Sequence, residues 1–596
     1  MQEYSTPASI DVPPTAALAD AVTELARARP QAVTFSRKVA GRWEPVTSRE
    51  FAAQVAGVAR GLVAAGVGPG DRVGILSTTR YEWTLADYAI WTAGGVAVPI
   101  YETSSAEQAE WILSDSGAVG VVVETAAHQE LVESVRDRLP DLRSVWQIEA
   151  GDLDALGTRG ADVPEQELAD RRAALAADSL ATIIYTSGTT GRPKGCELTH
   201  GNLLYVGQLA PTLIPGMLDD EASTLLFLPL AHVFARIIEV GCVQNGVRLG
   251  HTGNLADLLG DLGTFRPTFL LAVPRVFEKV YNGARQKAHA SGKGAIFDRA
   301  ERVAVAWSKA QDAGGPAFGL NVQHALFDRL VYSKLRAAMG GQVAYAMSGG
   351  APLGERLGHF FRGIGVTILE GYGLTETTGP STCSGPDTMK IGTVGRPAAG
   401  SSVRIGEHGE IQVRGPQVFR GYWKNPGATA EVLRDGWFAT GDIGTLDDEG
   451  YVTITGRIKE IIVTSGGKNV SPAVLEDKLR AHPLVSQCMV VGDNRPYIGC
   501  LLTIDPEAIG PWLESTGRPA DTPVAQLTDD PQLLAEMQAA VDAANRSVSK
   551  AESIRSFAVL PVDWTEQGGQ LTPSLKLKRS VVMKEFAGEV ERIYAD

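Results

Sequence analysis

The chain has 596 residues, 44% apolar and 21% charged, a globular balance that excludes a disordered protein. Its 55 Lys and Arg against 69 Asp and Glu leave a net charge of −14, which argues against a nucleic acid as partner. Five cysteines, at 196, 242, 383, 488 and 500, form no Cys-x-x-Cys pair. That excludes a cysteine-rich zinc site and suits a reducing compartment. At roughly 100–200 residues per domain, the length predicts several domains or one large enzyme with subdomains.

The first residues, MQEYSTPASIDVPP, have no apolar core, so no signal peptide is expected. No run of about 20 apolar residues is present to span a bilayer. A cytoplasmic protein is expected, with room for peripheral contact at the inner face of a membrane and for a homodimer. Apolar runs alternate with amphipathic stretches, which predicts α/β layers. Strands are expected at Arg72–Leu76, Val96–Ile100, Gly120–Val123 and Ala181–Tyr185, with a helix at Tyr81–Ala93. Residues 275–340 carry helical spacing and many charges and read as a helical insertion. Strand texture returns at Gln342–Met347 and Val366–Leu369. Short strands and Gly turns then dominate from 392 to 456, as a small β subdomain. The texture resets after Arg457, which sets the expected domains at 1–457 and 458–596. In the second, Ser471 before Pro472 predicts the N-cap of a helix to Arg480.

The most informative segment is Tyr185-Thr-Ser-Gly-Thr-Thr-Gly-Arg-Pro-Lys-Gly195. It follows an expected strand and carries four Ser/Thr hydroxyls, three glycines and Lys194. Glycine lets a backbone approach a polyanion, while successive N–H groups and hydroxyls donate to phosphate oxygens. It is not a Walker A loop, because Gly-x4-Gly-Lys-Ser/Thr is not satisfied.

This segment resembles the signature loop of the adenylate-forming superfamily, which includes acyl-CoA synthetases, luciferases and nonribosomal-peptide adenylation domains. The resemblance spans roughly residues 30–590. It implies a large N-terminal domain of two stacked α/β subdomains plus the β subdomain, and a small mobile α/β C-terminal domain. It assigns Thr186, Ser187, Gly188, Thr189, Thr190, Gly191 and Lys194 to ATP phosphates. Pro229-Leu-Ala-His232-Val-Phe234 resembles the motif lining the acyl pocket, where His232 meets either the acid's carboxylate or the phosphates. Ser348-Gly-Gly-Ala-Pro352 resembles the adenine-side loop, through Gly350, Ala351 and Pro352. Glu370-Gly-Tyr-Gly-Leu-Thr-Glu376 resembles the second signature. There Gly371, Tyr372 and Gly373 meet adenine, Thr375 donates to the α-phosphate, and Glu376 shares Mg²⁺ with Thr186. Carboxylate oxygen suits that hard cation. Asp442 and Arg457 are expected at the ribose, Lys459 at the hinge, and Gly466, Gly467 and Lys468 near the pantetheine of CoA. Leu571-Thr-Pro-Ser-Leu-Lys576 resembles the motif of the adenylation lysine. Many members have Gly before that lysine; here Leu575 stands there, and Lys578 is the rival.

The resemblance implies ATP, Mg²⁺ and CoA as co-reactants. A fatty carboxylate attacks the α-phosphorus, pyrophosphate leaves, and CoA sulfur then displaces AMP from the acyl-AMP. The insertion, with Val273–Lys279 and Val98–Ser105, looks like long-chain members. The alternatives are a fatty acyl-AMP ligase, another carboxylic-acid:CoA ligase, and a nucleotide-binding homologue without turnover.

Overall fold

The computed structural model describes residues 2–186, 192–214, 217–219, 221–254, 256–572 and 575–595. The Val/Ile-rich runs form its central layer. Arg72–Leu76, Val96–Ile100, Ala118–Val123 and Ser144–Gln147 pair in parallel, and Leu180–Thr186 joins Val96–Ile100. Such strands are covered on both faces, which is why they read as continuous apolar runs. The helix Tyr81–Thr92 is buried on every side. The sheet ends in antiparallel partners, Lys194–Thr199 and then Gly421–Tyr422. There the strands on either side of the phosphate-type segment pair antiparallel, with Thr186 opposite Lys194.

A second sheet runs Phe269–Ala272, Tyr345–Ser348, Thr367–Leu374, Gly379–Cys383 and Arg396–Pro397, with its first three strands parallel. The strand expected from Gln342 starts at Tyr345, because Gly340 and Gly341 hold φ of 93° and 79° in a turn before it. The strand expected at Val366–Leu369 runs on through Leu374 and carries the second signature within it. Gly373 is obligatory there: a Cβ would stand 1.7 Å from the Gly379 carbonyl oxygen. Between these strands lies the expected helical insertion, as Pro274–Ala290, Gly294–Asp312, Phe318–Phe327, a wide turn at Asp328–Tyr332, and Ser333–Ala338.

A six-stranded antiparallel sheet follows, with Glu410–Arg414, Trp437–Leu446 and Val452–Arg457 among its strands. The largest apolar core reaches Val452, and a separate core begins at Ile462. The latter lies under Val485–Val491, Ile498–Ile504 and Ile554–Val559. Pro472–Arg480 is the expected helix, and Ser471 stands at its N-cap position. Its hydroxyl makes no cap bond, however, and donates instead to the Thr455 carbonyl, tying the helix start to the preceding β subdomain.

Candidate active site

One cleft of about 1140 Å³ opens where these layers converge. Thr186, Lys194, His232, Gly350, Thr375 and Glu376 line it from the large core, with Gly371 and Gly373 beside them. Asp442 and Arg457 line it from the β subdomain, and Lys459, Lys576 and Lys578 from beyond. Residues as far apart in sequence as Thr186 and Lys578, 392 positions, thus face one space. Ser187, Gly188, Thr189, Thr190 and Gly191 lie outside the described residues.

One end of the cleft rests on the strands Leu180–Thr186 and Lys194–Thr199. Lys194 holds its ammonium 4.7 Å from the Tyr422 ring centroid, a cation–π contact. The Tyr422 hydroxyl donates to Glu376 Oε1 at 2.8 Å. Cys196 lies between Thr186, whose hydroxyl is 4.0 Å from its Sγ, and Glu376. Burial first, and the Glu376 charge second, push that thiol well above its ordinary range. A carboxylate, a hydroxyl and a lysine therefore meet around one point. Among the described residues no cluster of three or more His, Cys, Asp or Glu could hold a metal alone. One carboxylate and one hydroxyl fit Mg²⁺, which takes its remaining ligands from water and substrate phosphates.

Asp442 is buried at the other end. It accepts from the Tyr372 hydroxyl at 2.6 Å on one oxygen and from Arg457 Nε at 2.9 Å on the other. Tyr372, expected to stack on adenine, lies behind the lining with its hydroxyl committed to Asp442. Ala351 and Pro352 are exposed and stand off the lining.

His232 caps the helix Val233–Asn245, its Nδ1 accepting from the Phe234 N–H at 3.1 Å. Burial, with Lys576 adding to it, lowers its pKa to about 3, so the imidazole is neutral at pH 7. The same helix turns Phe234, Ile237 and Ile238 to the cleft, where Leu271 and Met347 extend an apolar wall. It is anchored from behind: buried Arg236 pairs with Asp87 and lies 5.3 and 5.2 Å from the rings of Trp83 and Trp91. No Trp lies close to His232 along the chain; Trp83 and Trp91, 149 and 141 residues upstream, stand under its helix instead.

Lys576 enters through a tight turn. The Thr572 N–H donates to the Lys576 carbonyl at 2.8 Å, and the Lys576 N–H to Thr572 Oγ1 at 3.0 Å. Leu575 holds φ of 59°, the left-handed region that glycine favours. Leu575 therefore keeps the turn at the cost of backbone strain, offset by packing against the apolar cluster around Trp564. The Lys576 Cε reaches 3.9 Å from where a Gly350 Cβ would stand. Its side chain is exposed to the cleft. Burial first, then Arg457, lowers its pKa, and Asp442, Glu376 and Glu460 oppose that.

Gly466, Gly467 and Lys468 stand elsewhere, on an exposed hairpin between Ile462–Val463 and Asn469–Val470. Lys468 pairs there with Glu552 at 3.3 Å. Two further residues were missed from the sequence. Tyr422 sits in an unremarkable Gly-Tyr-Trp run, and only the fold places it under Lys194. Arg275, on the insertion, donates to Ser486 Oγ at 3.1 Å and Asp505 Oδ2 at 3.4 Å, joining the two cores.

Fold and site together define an adenylate-forming enzyme. Residues 22–423 match the AMP-binding enzyme family and residues 459–596 the AMP-binding enzyme C-terminal domain, and the chain belongs to that family. It is 53% identical over 597 residues to the long-chain-fatty-acid–CoA ligase FadD15 of Mycobacterium bovis, covering 100% of both chains. It is 30% identical to the long-chain-fatty-acid–CoA ligase ACSBG2 of Xenopus laevis, over 95% of this chain and 82% of that one. Among solved structures, a Mycobacterium tuberculosis fatty acyl CoA synthetase superposes with TM-score 0.62 at 22% identity, over 96% of this chain and 98% of that one. The adenylation domain of a Mycobacterium chelonae carboxylate reductase superposes at 0.75 and 22% identity, over 98% and 92%.

Proposed function

We propose that the chain is an AMP-forming long-chain-fatty-acid–CoA ligase. It joins a fatty carboxylate to AMP with release of pyrophosphate, then passes the acyl group to CoA. The arrival of Lys576 in a cleft that also holds Lys194, Glu376 and the Asp442–Arg457 pair carries this reading. Adenylation drives an anion towards a polyphosphate, so cations fixed in place before reaction are its main requirement. In this reading Lys576 bridges the carboxylate and the α-phosphate, and Lys194 and Thr375 take phosphate oxygens. The Asp442–Arg457 pair takes the ribose. Neutral His232 donates its remaining ring N–H rather than a charge. Glu376 and Thr186 would hold Mg²⁺, which neutralises phosphate charge when bound.

The second step needs the space that Lys576 occupies. Lys459 lies in the short turn Ile458–Glu460 between the two cores, where one backbone rotation turns the smaller lobe. That rotation brings the Gly466-Gly-Lys468 hairpin to the thiol of CoA. The domains of this reading are 1–457 and 458–596, pivoting there. The apolar wall of Phe234, Ile237, Ile238, Leu271 and Met347 suits a long chain, each buried CH₂ adding about 0.8 kcal/mol. The reading includes peripheral contact with membranes, into which such acids partition.

Pyrophosphate release and thioester formation across straight-chain acids from acetate to C20 test this. The expected kcat/KM rises with chain length through the long-chain range. A profile peaking at acetate, or release of pyrophosphate without any thioester, would refute it.

A further inference from the structure

Among the described residues, the helical insertion leaves one apolar face without a partner. On Phe318–Phe327 and the turn after it, Phe327 and Tyr332 are buried, and Leu320 and Val331 pack on the core. The opposite face is also apolar: Phe318 is 86% exposed, Val322 54%, Leu326 55% and Leu330 48%. Four-residue steps advance 40° past a full α-helical turn, so such a stripe would drift round the helix. The wide turn Asp328–Tyr332 takes back part of that drift and keeps Leu330 near the line of the others. The neighbouring helix Gly294–Asp312 runs antiparallel, with Tyr332 donating to the Ala300 carbonyl, and it exposes Ile296 a turn away. A helix apolar on both faces, one of them bare, implies an occupant for the bare face.

The charges say what kind. All four acids between 293 and 338 are neutralised: Asp298 by Arg285, Glu301 by Arg356, Asp312 by Arg362 and Asp328 by Arg336. Lys293, Arg299, Arg302, Lys309, Arg329 and Lys334 are exposed, and none has an ion-pair partner among the described residues. Among the described residues, Arg329 and Lys334 thus stand without ion pairs on the stretch that carries the stripe, and Lys293, Arg299, Arg302 and Lys309 on or beside the neighbouring helix, in a chain of net charge −14. A second copy docking through the same face would set basic flank against basic flank. An interfacial helix with an apolar face and basic flanks suits an anionic bilayer.

We infer that the segment 294–334 docks on anionic phospholipid, with Phe318, Val322, Leu326 and Leu330 in the headgroup region and Arg329 and Lys334 on phosphates. This locates the peripheral membrane contact of the proposed function, but it does not depend on the chemistry.

Flotation of the full chain with phosphatidylglycerol-rich or pure phosphatidylcholine vesicles, without substrates, tests it. Wild type is expected to bind the anionic vesicles and to be released by salt. Phe318→Ser/Leu326→Ser and Arg329→Gln/Lys334→Gln are each expected to lower the partition coefficient about tenfold, with unchanged unfolding temperature. Equal binding to both vesicle types, or variants that bind like wild type, would overturn the inference. So would a dimer in light scattering that Phe318→Ser/Leu326→Ser dissociates, since the stripe would then be a subunit interface. Pyrophosphate release with a water-soluble short acid, measured in parallel, separates this outcome from failure of the enzymatic reading.

Discussion

Replacing Lys576 by Ala removes the one cation that the smaller lobe's turn delivers beside Gly350, and leaves Lys194 and Arg457 in place. Two unit charges about 4 Å apart interact by about 4 kcal/mol at an effective dielectric of about 20. Loss of a preorganised donor to developing charge costs about 3–4 kcal/mol in comparable sites. Lys576 is exposed to the cleft, which favours the lower end, so adenylation should fall about 10²–10³-fold. The thiol step, started from synthetic acyl-AMP and CoA, should stay within about threefold, because Lys576 acts only before AMP is attached. Lys578→Ala is the control. Lys578 also lines the cleft, but it stands at the N-cap of Arg579–Glu585. Its loss should cost less than about threefold in either step. Pyrophosphate exchange reports the first step and thioester absorbance the second. Equal loss in both steps, or a larger loss from Lys578→Ala, would refute the assignment.

Lys459→Pro fixes φ near −65° in the inter-lobe turn. It should leave pyrophosphate exchange within about threefold and abolish thioester formation; parallel loss of both would remove the hinge role. Arg275→Ala breaks the link to Ser486 and Asp505 and should loosen the adenylating arrangement by about 1 kcal/mol. Pyrophosphate exchange should drop about fivefold, with the thiol step unchanged. His200 is buried with its Nδ1 accepting from the Leu18 N–H, and burial lowers its pKa to about 3. The unfolded chain takes up that proton near pH 6.5 and the folded chain does not, so this group's contribution to stability is lost as pH falls through that window. Glu102 and Glu370, raised by burial to about 7, pull the other way, so the difference between wild type and His200→Gln is the diagnostic. From about pH 6.5 to 4.5 wild type should lose about 2–3 kcal/mol more than the variant in urea unfolding, and an equal loss would contradict neutral burial.

What the sequence displays well is local. Val96–Ile100 and Leu180–Thr186 announce themselves because a strand covered on both faces must be apolar throughout. The second signature is legible for a similar reason, since a Gly373 side chain would collide with the Gly379 carbonyl. What depends on long-range approach is silent. Tyr422 lies 228 residues from Lys194, yet its ring is the platform for that lysine. Arg236 reads as a surface charge on an amphipathic helix, but Trp83, Trp91 and Asp87 enclose it. Leu575 looks like a misfit before Lys576, and only the turn shows that it adopts a glycine-like φ. Ser471 is at the N-cap its sequence announces, but its hydroxyl is used across the lobe boundary. The approach of Lys576 to Gly350 depends on how the lobes are set, which no local pattern encodes.

The central claim is that one cleft makes an acyl-AMP and then surrenders it to sulfur. Rapid-quench single turnover of the purified chain with Mg²⁺, ATP and radiolabelled palmitate tests it most directly, with CoA added only after the first phase ends. The account predicts one equivalent of enzyme-bound palmitoyl-AMP with matching pyrophosphate, then its conversion to palmitoyl-CoA and AMP when CoA arrives. Palmitoyl-CoA formed with no preceding adenylate, or an adenylate that CoA leaves untouched, would contradict it.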